Sequence, residues 1–375
     1  MIKQERIVEE FIELVQVDSV TTQEQNIAKV LTDKFSKLGL EVAEDQSKER
    51  TGHGAGNLIV TWKAQGVQSA PNIFFTCHMD TVAPGVGIKP VVSEDGYIRS
   101  DGTTILGADD KAGIAALFEA IRVIQENDIP HGQIQFVITV GEESGLIGVR
   151  GMERDAIDAE LGFALDSTGE VGGICVSAPA RAQIKMKITG KSAHAGVNPE
   201  DGISAIQVAA KSIAAMKLGR IDHETTANIG SFSGGGPLNV VCDYAEIAAE
   251  ARSIVQSKVE QQVEHMRESL LNTCREYGAT GVFESEIAYP AFKLTEQDEV
   301  VQLAAAAIES TGLKPETFPS GGGSDANIFN GFGIPTVNLA LGYEDIHTTN
   351  ERIKVSSLVD AAKVVVSIVQ EAAKR

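Results

Sequence analysis

The sequence predicts an α/β protein in which a layered main domain is interrupted by a smaller α+β domain. Short apolar runs bounded by turn residues recur at 58–62, 73–77, 134–140, 161–165 and 336–341 and alternate with runs on helical spacing. That is the order expected of strands buried on both faces and packed against helices. Between about 181 and 289 the style changes: Ile184, Met186 and Ile188 alternate with Lys185, Lys187 and Thr189, the two-residue period of a strand with one face in water. Length is the third observation, since 375 residues at ~150 per domain leave room for two domains.

Two amphipathic helices open the chain. Ile7, Phe11, Leu14 and Val15, then Ile27, Val30, Leu31, Phe35 and Leu38 fall at helical spacing, and Gly39 ends the second run where a terminating glycine is favoured. The first strands follow, and then a helical pattern at 111–125. In the central stretch, 244–250 repeats the alternating style of 184–189, while 203–216 and 259–277 supply helices to cover one sheet face. The closing helix, 357–373, starts with Ser357 and Asp360 in a capping pattern. No repeat and no low-complexity linker interrupts the chain, so short hinges are expected near 177–180 and 288–291.

Composition narrows the function. Hydrophobic residues make up 43% and charged residues 22% of the chain, as in a globular protein with a substantial core. A net charge of −20 repels phosphate backbones and anionic lipid, so neither nucleic acid nor a membrane is an expected partner. Cys77, Cys175, Cys242 and Cys274 are scattered without a Cys-x-x-Cys pair, which argues against a disulfide framework or thiolate zinc site and reads as reduced thiols. With no leader-like apolar block, the expectation is a cytoplasmic protein. Gly190-Lys191-Ser192 lacks the earlier glycine of a phosphate loop. His223-Glu224 lacks the second histidine of a zinc helix, and Gly322-Gly323-Ser324-Asp325-Ala326 lacks the last glycine of a nucleophile elbow.

What remains is a set of cation ligands at the expected strand ends. His78 and Asp80 follow the run 73–77, and strand alternation sets them on one side, so that the carboxylate can steady a metal-bound imidazole. Asp109 and Asp110 open the helix at 111, where acidic caps are ordinary, yet two acids after Gly107-Ala108 also suit a cation. Glu142 and Glu143 come directly after 134–140, at the edge where α/β folds form ligand crevices. Adjacent side chains diverge, so one glutamate can bind a metal while the other faces its water. Asp166 ends the next strand, and His347 follows 336–341 after a short loop. Each position has an ordinary explanation by itself; their conjunction on one sheet edge points to a metal-dependent active site.

His78-Met79-Asp80, Gly107-Ala108-Asp109-Asp110-Lys111-Ala112-Gly113, Glu142-Glu143, Asp166 and His347-Thr348-Thr349-Asn350-Glu351 resemble, in order and across nearly the whole chain, the signature set of the M20 family of co-catalytic zinc metallopeptidases. Gly190-Lys191-Ser192-Ala193-His194-Ala195-Gly196 is similar to that family's lid-domain histidine motif. The branch most resembled is peptidase T, the tripeptide aminopeptidases. The resemblance implies a mixed-sheet catalytic domain with helices on both faces, 1–178 and 290–375, and an inserted α+β lid and dimerisation domain, 179–289. It implies two Zn2+ per subunit, with Co2+ or Mn2+ able to substitute. Asp109 would bridge the ions, His78 and Asp166 would complete one site, Glu143 and His347 the other, and the Asp109-Asp110 bond would be cis. Asp80 would orient His78, and Glu142 would serve as general base and then general acid around a metal-bridging hydroxide. His194 would reach the partner's active site in a homodimer joined through the lid domain, and Asn239, Arg252 and Gly323 would contact a short peptide.

One departure stands out. The tripeptidases carry an arginine where this chain has Gly321, which removes a fixed cation suited to a carboxylate. Strict tripeptide selectivity is therefore not expected. Two rivals stand beside the aminopeptidase reading: another M20 amidohydrolase, such as a carboxypeptidase or an N-acyl amino acid deacylase, and a non-enzymatic α/β ligand-binding protein with a solvated acidic rim. A binder would have no need of Glu142 beside Glu143.

Overall fold

A strand with no polar face has to be covered on both sides. In the computed structural model, which describes residues 1–375, the apolar runs lie inside a nine-stranded mixed sheet. The principal strands in chain order are β1 (Glu41–Glu44), β2 (Leu58–Trp62), β3 (Ile73–His78), β4 (Ile134–Thr139), β5 (Leu161–Ser167), β6 (Gly173–Ala178), β7 (Ala180–Thr189), β8 (Thr225–Gly234), β9 (Tyr244–Ser253), β10 (Thr280–Tyr289), β11 (Phe292–Lys293), β12 (Glu316–Pro319) and β13 (Thr336–Ala340). The principal helices are α1 (Gln4–Val15), α2 (Gln25–Lys37), α3 (Ala108–Glu126), α4 (Ala205–Ala215), α5 (Gln256–Tyr277), α6 (Glu299–Ser310), α7 (Asp325–Gly331) and α8 (Val355–Ala372).

The large sheet runs β1-β2-β4-β3-β5-β13-β6-β11, with β12 beside β6. Its centre is parallel: β3 pairs in that sense with β4 and β5, and β13 with β5. β1 and β2 are antiparallel to their neighbours on one side, and β6 is antiparallel to β13 on the other. Alternation along β3 sorts the aromatic core. Phe75 faces Phe136 and Phe163, and Phe136 meets Phe35 of α2, which packs on Phe118 of α3. Phe74 points the other way, against Phe329 of α7. Helices therefore cover both faces, and each fully buried phenyl contributes roughly 1.5–3 kcal/mol.

Residues 1–177, 293–320 and 324–375 form the larger of two compact units, and 178–292 with 321–323 form the smaller. In the smaller unit the antiparallel order is 219–220, β8, β9, β7, β10. Ala182, Ile184, Met186 and Ile188 are buried in its core with Val208 of α4 and Met266 and Leu270 of α5, while Lys185 and Thr189 are exposed.

Several details differ from the sequence pattern. α3 begins at Ala108 rather than at 111, with Asp109 and Asp110 non-helical within it, while the bond between those two is cis, as the family resemblance implied. β5 continues past 165 to Ser167, so Asp166 lies within the strand. A small sheet of Val91–Val92, Tyr97–Arg99, Tyr343–Glu344 and Arg352–Lys354 was not signalled, because its strands are only two or three residues long.

Gly162 in β5 is set by this packing: a Cβ there would lie 2.3 Å from the Phe74 ring and 2.4 Å from Thr336 Oγ1. Gly162→Ala should destabilise the protein by about 1–3 kcal/mol through overpacking, read as a lower denaturation midpoint at unchanged m-value. An unchanged midpoint would show that Phe74 yields without cost.

Candidate active site

Four parallel strands end on the same edge, and the functional side chains sit there. His78 ends β3 and Asp80 follows it; Glu142 and Glu143 follow β4; Asp166 is the penultimate residue of β5; His347 comes shortly after β13; and Asp109 lies in the first turn of α3. His78 Nε2 lies 2.9 Å from Asp109 Oδ1 and 3.8 Å from Asp166 Oδ1. His347 Nε2 lies 3.2 Å from Asp109 Oδ2 and 2.9 Å from Glu143 Oε1. Asp109 thus turns one oxygen toward each histidine. The ligand atoms of His78, Asp109 and Asp166, and those of Asp109, Glu143 and His347, each lie within 4.8 Å of one another.

This donor set fits a pair of divalent cations. Glu143 Oε1 is buried and, apart from the close approach of His347 Nε2, takes no hydrogen bond, a costly state for a carboxylate unless a cation faces it. Imidazole nitrogens mixed with carboxylates suit Zn2+, Co2+ and Mn2+. His78 Nδ1 donates its N–H to the Asp80 carbonyl oxygen at 3.0 Å, so in the neutral imidazole that a cation would require, Nε2 is the nitrogen that carries the lone pair.

Asp80 is fully buried behind these groups. Its Oδ1 accepts from the Glu142 amide at 3.0 Å, and its Oδ2 accepts from Thr21 Oγ1 at 2.7 Å and from the Glu143 amide at 3.3 Å. Burial alone would raise the Asp80 carboxyl, but His78 and these donors hold it below the usual range. Burial and the Asp166 charge push Glu142 well above the ordinary carboxylate value. Asp166 itself is pushed up by burial and Asp109, and Asp325 rises to about 6 through burial. Burial works against a charged His78, yet Asp109 and Asp80 outweigh it, and hydrogen bonds donated to Asp109 and Glu143 raise His347 to about 10. In the absence of cations the two imidazoles would hold protons to balance the carboxylates around them.

Asp110 faces away from both clusters. Its Oδ2 accepts from the His78 amide at 3.2 Å and its Oδ1 from the Gly113 amide at 3.2 Å. Sequence reasoning passed over Thr21, Asn338 and Tyr343. Tyr343 donates its hydroxyl to Asp166 Oδ1 at 3.1 Å, and Asn338 brackets the Asp166 backbone, accepting from its N–H at 2.9 Å and donating to its carbonyl at 2.6 Å. A neutral residue beside a strand end has no charge pattern to mark it.

The remaining candidates belong to the smaller unit. His194 is exposed, and its Nδ1 accepts from the Gly196 and Val197 amides, each at 3.1 Å. Its proton therefore sits on Nε2, which leaves a neutral N–H donor free. Asn239 lies on an exposed turn whose carbonyl accepts from the Ala195 amide at 2.9 Å. Arg252 donates from Nε to Glu250 Oε1 at 2.9 Å, and Arg181 donates to the other oxygen at 2.8 Å. Gly323 lies so close to the Tyr289 ring that a Cβ would be 2.3 Å from it. In the group Asp222, His223 and Glu224, of which only His223 is exposed, Lys258 already bridges the two acids, at 3.1 Å from Asp222 and 2.6 Å from Glu224.

A peptidase site is what this edge resembles, and residues 74–371 match the family described as Peptidase family M20/M25/M40, to which the chain belongs. The chain is 57% identical to the aminopeptidase PepT of Bacillus cereus ATCC 10987, whose crystal structure superposes with a TM-score of 0.94 over 99% of each chain. A tripeptidase from Staphylococcus aureus is 48% identical, with a TM-score of 0.96 over 100% of each chain. The Peptidase T of Geobacillus thermodenitrificans is 26% identical over 98% of both sequences. A mixed sheet with helices on both faces and an inserted antiparallel unit is thus the M20 arrangement.

Proposed function

We propose that the protein is a dizinc aminopeptidase that removes the N-terminal residue of short peptides, tripeptides among them. The observation that carries this is Asp109, whose two oxygens each face a separate histidine and carboxylate pair, with Glu142 next to one of those carboxylates. The similarity to the Bacillus cereus aminopeptidase and the Staphylococcus aureus tripeptidase supports the substrate class.

His78 and Asp166 would hold one ion and His347 and Glu143 the other, with Asp109 shared between the two groups. Two divalent cations bound there would acidify a water, polarise the scissile carbonyl and neutralise the surrounding carboxylates. Glu142 takes the proton of the attacking water as the new C–O bond forms. It then gives that proton to the nitrogen as the C–N bond breaks, a role that contributes roughly 10²–10⁴ in rate. Asp80 holds His78 and the Glu142-Glu143 turn in register. His194 offers its Nε2–H to the tetrahedral oxyanion in the active site of a second subunit. The homodimer forms through the smaller unit, where Phe232 of β8 and Val282 and Ile287 of β10 are exposed. Asn239, Arg252 and Gly323 contact the peptide. Glu250 already neutralises part of the charge of Arg252, and Gly321 supplies none, so the free amino end of the substrate is the end most strongly read. The four free cysteines suit a reducing cytoplasm.

Glu142→Gln should retain both ions while turnover falls by at least ~10²-fold, measured as metal content and kcat on one preparation. Loss of metal instead would exchange the roles of Glu142 and Glu143. N-acetylation of a good tripeptide should lower kcat/KM by ~10²-fold or more, the scale of a lost charge-assisted contact, while C-terminal amidation costs less. The reverse ranking would transfer the assignment to an M20 carboxypeptidase or deacylase.

A further inference from the structure

Glu351 lies at the end of the segment that carries His347, is 1% exposed, and belongs to neither cation cluster. Its carboxylate is nonetheless fully engaged. Oε2 accepts from the amides of Leu106 and Gly107, both at 2.8 Å, and Oε1 accepts from the amide of Asp109 at 3.0 Å. Gly107 sits in the left-handed region at φ 76°, which turns these amides toward one point. Successive N–H groups arranged around an anion form a concave site of the kind that usually takes a phosphate. Here the anion is a side chain from more than 240 residues away in sequence.

The consequence is geometric. Asp109 is the one residue shared by the two candidate cation clusters, and its own amide is held by Glu351. Glu351 is also four residues beyond His347, a member of one cluster. Movement of the 106–109 turn would displace Asp109 Oδ1 from His78 and Oδ2 from His347 together. We infer that Glu351 is a positioning residue that clamps the Asp109 turn to the His347 segment and so sets the affinity of both cation sites at once. The inference rests on the dinuclear reading of the site.

Charge at 351 is not sufficient for this role; two acceptor oxygens at the right reach are required. Glutamine keeps one oxygen and turns an NH2 group against amide donors in a buried space. Aspartate keeps both oxygens but is shorter by one methylene. The test is Co2+ titration of the intact protein in competition with a chelator, following the visible absorption of bound cobalt. Glu351→Gln and Glu351→Asp should both bind Co2+ about 10–100-fold more weakly than the wild type, the scale of losing an outer-shell partner, with an altered cobalt spectrum. At saturating metal the loss of activity should fall on kcat, with KM nearly unchanged.

Wild-type affinity and an unchanged spectrum in a folded Glu351→Gln protein would overturn the inference. If the wild type itself binds no Co2+, the dinuclear reading falls first. Should the variants fail to fold, amide hydrogen exchange on the metal-loaded wild type decides. Leu106, Gly107 and Asp109 should exchange as slowly as the buried body of α3, and exchange at the rate of exposed loops would refute the clamp.

Discussion

Crowded negative charge governs this molecule. Asp80, Asp109, Asp110, Asp166 and Asp325 are all buried or nearly so, and Glu142 and Glu143 stand beside them. At an effective dielectric of ~20, two unit charges 4 Å apart repel by about 4 kcal/mol. Burial adds the cost of removing each carboxylate from water. The raised values of Glu142, Asp166 and Asp325 and the protons drawn to His78 and His347 are the protein's own response when no stronger cation is present. A pair of divalent cations would resolve the same conflict with charges fixed in place, so the donor geometry suits metal-assisted hydrolysis.

The scaffold earns its precision from rigid parts. Parallel central strands deliver side chains to one edge, and the aromatic layer of Phe75, Phe136 and Phe163 fixes the strands that carry His78, the glutamates and Asp166. Neighbouring acids acquire different duties through the backbone between them. At 109–110 the non-helical turn aims Asp109 at the histidines and Asp110 at the amides of His78 and Gly113. Lys111, fully buried, donates to the Met79 carbonyl at 2.7 Å and to Ser19 Oγ at 2.9 Å, which ties the start of α3 to the turn between His78 and Asp80. Burial pulls its amine down to about 8.

Much of this was legible because it depends on patterns within short stretches of chain. The central strands announced themselves as continuous apolar runs, and the acids and histidines stood directly after them. The division between Asp109 and Asp110 was less legible, since adjacent acids at a helix start look alike until the backbone angles are known. Thr21, Asn338 and Tyr343 left no trace, because each acts through a single neutral hydrogen-bonding group brought close by the fold. Glu351 stood in view as part of a motif, but its partners are backbone amides, which every residue carries. The short strands around Tyr97 and Arg352 were also hidden, since neither is long enough to show a period.

The account stands on two ions sharing Asp109. X-ray absorption at the metal edge of the zinc-loaded protein, paired with an anomalous-difference map from its crystals, measures that directly. Two peaks per chain, about 3.5–4 Å apart, should appear with Asp109 between them, His78 and Asp166 beside one and Glu143 and His347 beside the other. A single ion, or two ions with no shared carboxylate, would contradict it.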